Sequence, residues 1–378
     1  MGPYQTKPNG VISYLGNKIY GPIGDVLKVS WPPKDLTQRV KSISQDKKWY
    51  HLHKIDASIF IATSQFFQKI GADWVNLPLT TMMISSPGEV YAGQKLDYTT
   101  DALPIEIRNW FHTGHRVFLS ESSQFYLELR LIIDSLDKVF SIYNSFRKEP
   151  ADATHLSEFQ HIEFEGHVDF EGNVEIFTNL IDYILDFLLQ NNESNLSFFL
   201  KDHDLNRLSQ GIKKKIFRVP FIKVLEALFK ETKNEKYKEF SMKNFGAWEE
   251  ILTTQIYNRH VLITNFPILQ IPFYHEIAKK KIKGVPVAEN ADLILQGYRE
   301  TVGSGVRVAK PEALAEKARI FNLPLNDYKP YLETRKIKKY KPSAGFGLGW
   351  QRFTQWLLKL PYIWETTPTP RGHTIPRP

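Results

Sequence analysis

Along the chain, hydrophobic spacing predicts strands and helices in no regular alternation. The clearest period of two runs over 159–168, where His161, Glu163 and Glu165 interleave with Ile162, Phe164 and Gly166, a pattern that predicts a half-exposed strand. Short apolar runs predict further strands at 74–77 (ended by Pro78), 117–119, 139–143, 261–265 and 294–295. Near the start, 11–15 and 18–20 flank Gly16–Asn17 and predict a hairpin. Pro32 and Pro33 then precede Asp35, which opens a helical pattern reaching about Ile70, with Phe60, Ser64, Phe67 and Ile70 on one face. Apolar spacing predicts helices at 178–190, 311–320 and 350–358, and 200–250 reads as basic and helical, with Lys213, Lys214 and Lys215 in a row. Strands and helices mixed without a strand–helix–strand rhythm point to an α+β fold around an antiparallel sheet.

Composition narrows the class. The 378 residues are 42% apolar and 24% charged, an ordinary globular balance. The chain has no cysteine, which excludes a disulfide framework, a thiolate metal site and a cysteine nucleophile. No apolar run reaches the ~18–20 residues needed to span a bilayer, and the first 28 residues lack the pattern of a signal peptide. The expectation is a soluble, cytoplasmic protein with no membrane partner. The net charge of +8, with basic runs at 279–283 and 335–341, permits a polyanionic partner but reads first as solvated surface. His51, His53, His112 and His115 do not have the spacing of a known zinc motif. His203 and His260 read as surface or capping residues.

Two segments carry chemistry. Ser145-Phe146-Arg147-Lys148-Glu149 is followed by His155-Leu156-Ser157-Glu158-Phe159; a strand, a loop and a returning strand would gather Arg147, His155 and Phe159 around one pocket. Arginine and histidine suit phosphates, and phenylalanine suits a purine face. The second segment, Gly345-Phe346-Gly347-Leu348-Gly349-Trp350-Gln351-Arg352, opens a helix, with glycines that let backbone approach a ligand.

Together and in this order, the two segments resemble motifs 2 and 3 of the class II aminoacyl-tRNA synthetase catalytic domain, in its asparaginyl/aspartyl branch. They resemble most closely the asparagine-synthetase-like relatives that work without tRNA. The resemblance extends over roughly 55–372: Gly71–Pro78 for the dimer-forming first motif, Ser123-Gln124-Phe125-Tyr126-Leu127-Glu128, Pro272-Phe273-Tyr274, the stretch from Gly297 to Arg307, and Pro370-Arg371. It implies a class II synthetase-like antiparallel sheet flanked by helices, with 1–50 as a short extension and 51–378 as the catalytic domain, including a helical insertion at about 195–255. No OB-fold anticodon domain is readable.

The resemblance also assigns roles. Arg147 would contact the α-phosphate and the substrate carboxylate, and His155 and Arg352 the distal phosphates. Phe159 would stack on adenine, with Gly347 and Gly349 beside the nucleotide. Glu149 and Glu300 would serve the adenine side and Mg²⁺. Gln124, Glu128, Glu163 and Arg307 would form the substrate pocket, where Leu127-Glu128 predicts a neutral, asparagine-like side chain. Departures from the family pattern are Thr154 in place of an arginine, Gln351 in place of an acid, Ser123 in place of a glycine and Gly303 where many members have serine. The implied function is an ATP- and Mg²⁺-dependent, AMP-forming ligase. It would adenylate an Asp- or Asn-type carboxylate or side-chain amide on an amino acid, small molecule or peptide, without tRNA and as a homodimer. The alternatives are stand-alone tRNA charging of the asparaginyl type and a non-catalytic regulatory paralogue.

Overall fold

The computed structural model describes residues 38–86, 88–92, 103–108, 114–148, 153–243 and 245–372, together with three short strands near the start. Those strands, β1 (Tyr4–Thr6), β2 (Ile12–Tyr14) and β3 (Asn17–Tyr20), form a small antiparallel sheet. β2 and β3 are the expected hairpin arms, while Val11, Leu15 and Gly16 lie outside the described residues, as do Pro32, Pro33, Asp35, His112 and Glu149.

The remaining strands are β4 (Asp73–Trp74), β5 (Thr80–Thr81), β6 (Ile105–Ile107), β7 (Val117–Leu119), β8 (Lys138–Phe146), β9 (Glu158–Gly166), β10 (Ile216–Pro220), β11 (His260–Thr264), β12 (Asn290–Ile294), β13 (Glu300–Val306) and β14 (Ala344–Gly349). Eight of them make the central sheet, in the order β10-β11-β12-β13-β14-β9-β8-β4. Every pairing between β11 and β8 is antiparallel; only the edge strands β10 and β4 run parallel to their neighbours. The α+β expectation with helices flanking an antiparallel-dominated sheet therefore holds.

Register separates the two faces of the sheet. Phe164 on β9 pairs with Phe140 and Phe346, and these rings lie on the core face with Phe67 from the helix Lys48–Lys69. The long helix Phe170–Leu196 covers the same face, burying Phe177, Leu180, Ile181 and Ile184. Because side chains alternate across a strand, the partners of the next register positions, His161, Glu163 and Glu165, point to the opposite face. There they meet Gly349, Gly347 and Gly345 of β14.

Several expectations change. The 35–70 helix is two helices, Arg39–Gln45 and Lys48–Lys69, separated where the Asp46 carboxylate accepts from the Lys48 N–H at 2.9 Å. Its buried face is Leu52, Ile55, Ile59, Ala62 and Phe66 with Phe67, whereas Phe60 is 53% exposed. The 200–250 stretch is not wholly helical: Ile216–Pro220 is an edge strand between the helices Asp202–Leu208 and Phe221–Thr232. β9 is not half-exposed, since His161, Glu163 and Glu165 are all buried. Nor is 335–341 only solvated surface, because Arg335 is buried against Glu128. His260 is likewise buried, its ring edge-on to Trp356 and its Nδ1 accepting from the Gln296 N–H at 2.9 Å. No described helix is long and apolar enough to cross a membrane.

Candidate active site

The polar face of the central sheet floors a cleft in two connected parts. The smaller, about 490 Å³, is walled by Arg147, His155, Phe159 and Arg352; the larger, about 1050 Å³, extends to Gln124, Glu163 and Arg307. Arg147, His161, Glu300, Gly347 and Arg352 border both.

At the first end, β8 stops at Phe146 and Arg147 turns into the cleft, its backbone N–H on the Ser157 carbonyl at 2.9 Å. Its guanidinium lies over the Phe159 ring at 5.2 Å, so one cation and one aromatic face are presented together, as the sequence motif implied. β9 begins beside the chain's last described segment, where Glu158 bridges Arg371. β14 feeds straight into the helix Trp350–Leu357, whose third residue, Arg352, donates to the Glu300 carbonyl at 3.0 Å. The glycine run is thus the bare face of a central strand rather than a loop. A Cβ at Gly345 would stand 2.1 Å from Glu165 Oε2 and 2.3 Å from the Phe164 carbonyl oxygen, so only glycine lets these groups close up. Gln351, in the place of the family's acid, accepts from the Gln160 N–H at 2.8 Å and ties this helix to β9.

Between the two ends lies a group of carboxylates. Asp292 on β12 is paired with Gly303 of β13, and a Cβ at Gly303 would be 2.8 Å from Glu300 Oε1 and 3.9 Å from Asp292 Oδ1. Burial and then the neighbouring Glu300 and Glu250 charges push the Asp292 carboxyl well above its ordinary range. Glu300 is raised too, by burial, with Arg352 opposing and Glu250 adding to the shift. Glu250, from the helix Ala247–Tyr257, is different: burial works against its charge, but Arg299 and Arg352 outweigh it and hold the carboxyl low. Among the described residues no group of three or more acidic, His or Cys side chains is arranged to hold a metal ion. Two mutually opposed carboxylates facing a cleft nevertheless fit Mg²⁺, which takes one or two protein oxygens and completes its shell with phosphates and water.

The substrate end is built on Glu163. It is buried, accepts from Ser122 Oγ at 2.7 Å, and burial pushes its carboxyl up to about 7. His161, beside it, is bonded to Ser145 Oγ at 2.7 Å and is held neutral by burial and by the Arg147 and Arg352 charges. Gln124 donates to the Phe164 carbonyl at 2.9 Å and to Glu165. Arg307 is buried and engages Glu165, and both Gln124 and Arg307 reach the cleft. His275, also buried, fills the space over Gly305, where a Cβ would meet its Nδ1 at 2.1 Å.

Glu128 does not reach the cleft. It lies behind Arg307, accepting from the Tyr331 hydroxyl at 2.8 Å and from Arg335 at 2.5 Å. Leu127 packs with Leu77, Leu131 and Val139. Neither Leu127 nor Glu128 therefore touches the substrate space, and they do not set a side-chain preference there as expected. Asp292, Glu250, Arg299, Glu165 and His275 escaped the sequence reading. The one available signal was the repeated acid on β9, which alternation assigned to solvent.

The whole described chain resembles known proteins. It superposes on the asparaginyl-tRNA synthetase of Pyrococcus horikoshii complexed with asparaginyl-adenylate at a TM-score of 0.78 and 22% identity, covering 97% of this chain and 78% of that one. It superposes on Entamoeba histolytica aspartyl-tRNA synthetase at 0.68 and 18% identity, covering 90% and 62%. In sequence it is 30% identical over 321 residues to the asparagine–tRNA ligase of Thermoplasma acidophilum, covering 84% of this chain and 68% of that protein. With the ligase of Lactobacillus delbrueckii it shares 27% over 330 residues, covering 86% and 70%. Residues 35–373 match the family described as tRNA synthetases class II (D, K and N). With the sheet, the two-ended cleft and this match in agreement, the chain belongs to the class II tRNA synthetase family of the aspartate, lysine and asparagine enzymes.

Proposed function

We propose that this protein is an ATP-dependent ligase that activates asparagine as its adenylate, releases pyrophosphate and passes the asparaginyl group to tRNA. The observation that carries the reading is the continuity of the cleft: Arg147 borders both the part holding Phe159 and Arg352 and the part holding Glu163 and Arg307. A nucleotide seated at one end and an amino acid at the other would meet at Arg147.

The carboxylate of the amino acid is already ionised, so attack on the α-phosphorus requires positioning and charge neutralisation rather than a general base. Phe159 would stack on adenine, and Arg147 would bridge the α-phosphate and the attacking carboxylate. His155 and Arg352 would face the distal phosphates. Glu163 would hold the α-ammonium, and Gln124 would orient the amino acid. Asp292 and Glu300 would hold Mg²⁺, which supplies charge neutralisation on the phosphates. Glu149 remains a sequence-based assignment. Arg307, its charge balanced by Glu165, suits a neutral carboxamide better than a carboxylate.

The relatives favour tRNA as acceptor over the tRNA-free reaction expected from sequence, since those matched in sequence are asparagine–tRNA ligases. The exposed Tyr50 and Phe60 on one helix and Trp74 on the edge strand support a homodimer. The test is ATP–pyrophosphate exchange with a panel of asparagine, aspartate and lysine, followed by transfer to tRNA or to ammonia. Exchange with asparagine and charging of tRNA are expected. Absence of exchange with every amino acid would sink the ligase reading, and amide formation without tRNA would restore the tRNA-free one.

A further inference from the structure

Arg299 immediately precedes β13 at a slip in the ladder, where Ile294 pairs with Glu300. Its side chain is buried and grips Glu250 from two nitrogens, Nε at 3.2 Å and Nη2 at 3.3 Å. Glu250 is itself held by the Glu300 N–H at 2.7 Å. The remaining nitrogen points the other way: Nη1 donates to Thr154 Oγ1 at 3.0 Å and contacts His155 Nε2 at 2.7 Å. A guanidinium has donors only, so His155 accepts at that nitrogen. Thr154 and His155 both wall the smaller part of the cleft, and Arg299 borders the larger.

We propose that Arg299 is a catalytic residue of the nucleotide end: braced on Glu250, it turns Nη1 from Thr154 and His155 onto the distal phosphates. It thereby supplies, from the turn before β13, a positive charge beside the uncharged Thr154 of the loop. The inference rests on the ATP-dependent reading above and adds a contact to it. Two neutral acceptors now occupy Nη1. A phosphate oxygen carries a negative charge, which Thr154 Oγ1 and His155 Nε2 do not, so opposite charges attract in addition to the hydrogen bond and the exchange favours the nucleotide. The brace survives it, because Glu250 uses Nε and Nη2. In the reaction a carboxylate oxygen bonds to the α-phosphorus, the bond from that phosphorus to the bridging oxygen breaks, and pyrophosphate leaves with the electron pair. Arg299 neutralises the charge that accumulates on the leaving group.

The test is calorimetric binding of ATP and of AMP, each with Mg²⁺, to the wild-type protein and to Arg299→Ala, Arg299→Lys and the double variant Arg299→Ala/Thr154→Arg. Loss of a distal-phosphate contact weakens ATP tenfold or more in Arg299→Ala while AMP stays within twofold, and arginine at 154 restores part of the loss. If the alanine variant does not fold, Arg299→Lys carries the test, since lysine cannot span Glu250 and a phosphate together; a selective loss for ATP of at least threefold is expected. Parallel weakening of ATP and AMP, or unchanged ATP affinity, overturns the proposal and leaves Arg299 as a brace for the loop. A wild-type protein that binds no ATP overturns the ligase reading itself, and this proposal with it.

Discussion

Arg307 donates to Glu165 from two nitrogens at once, with Nε 3.1 Å from each carboxylate oxygen and Nη2 2.8 Å from Oε2. Behind this pair, Arg335 and Glu128 form a second, so two guanidiniums face two carboxylates in a buried row. The Glu165 and Glu128 charges push the Arg307 guanidinium above its ordinary range against the effect of burial. A substrate side chain touching Arg307 therefore meets a balanced pair rather than an excess positive charge.

Replacing Glu165 with glutamine leaves Arg307 less compensated. We expect Glu165→Gln to shift the preference between asparagine and aspartate toward aspartate by tenfold or more, about 1.4 kcal/mol. Calorimetry with both amino acids in the presence of a non-hydrolysable ATP analogue measures the shift. An unchanged ratio would show that Arg307 does not read the substrate side chain.

With Glu163 as the ammonium partner, amino-acid binding should depend on pH. Its carboxyl is raised to about 7 in the folded protein, so an ammonium-bearing ligand must drive off a proton at lower pH. Affinity should climb by up to about tenfold per pH unit below 7 and level off above it. The linked effect on folding has the opposite sense. Between the ordinary 4.5 and about 7 the native state binds more protons than the unfolded chain, so the Glu163 contribution to stability is lost as pH rises through that window. Proton release measured in buffers of different ionisation enthalpy checks the first effect, and Glu163→Gln should abolish it.

Arg147 and Arg352 border both parts of the cleft. Truncating either to alanine should cost adenylate formation about 2.7–4 kcal/mol, roughly a hundredfold to a thousandfold in rate. Pyrophosphate exchange measures the loss, and far-ultraviolet circular dichroism confirms that the variants fold. Near-normal rates in both variants would be incompatible with the proposed chemistry.

Gly345→Ala should destabilise the protein by about 1–3 kcal/mol, the usual range for overpacking. The added methyl would fall on the Phe164 carbonyl and on Glu165, and the Phe164 carbonyl is part of the β9 backbone, which cannot step aside. Urea denaturation reads the change in midpoint. A neutral result would mean that β9 and β14 can separate locally without cost.

Trp74, 59% exposed on edge strand β4, tests the homodimer. Analytical ultracentrifugation should find a dimer of the wild-type chain and a shift toward monomer for Trp74→Glu, because a charge buried without a partner opposes association. A wild-type monomer at micromolar concentration removes this expectation.

Strands and helices with a strong hydrophobic period are legible in the sequence, as are the two arginine-bearing segments. Phe164 lies on the core face and Glu163 on the other because side-chain alternation is local to a strand. Arg147, His155, Phe159 and Arg352, which residue type and spacing already grouped, wall the same part of the cleft, carried there by β8, β9 and the helix Trp350–Leu357. Tertiary structure decided everything that depends on what lies opposite. His161, Glu163 and Glu165 look outward by periodicity, yet they are buried, since the glycine face of β14 and the far wall of the cleft enclose the polar side of β9. Glu128 stands next to cleft residues in sequence but turns one layer back to Arg335, 207 positions away. Asp292 faces Glu300 across the β12–β13 pairing, and Arg299, just before β13, reaches Thr154 across 145 positions only once the sheet is assembled. Periodicity reports which side of a strand a residue occupies; the charge or ring it meets there is set by the partner strand, and that partner is chosen by packing of the whole sheet.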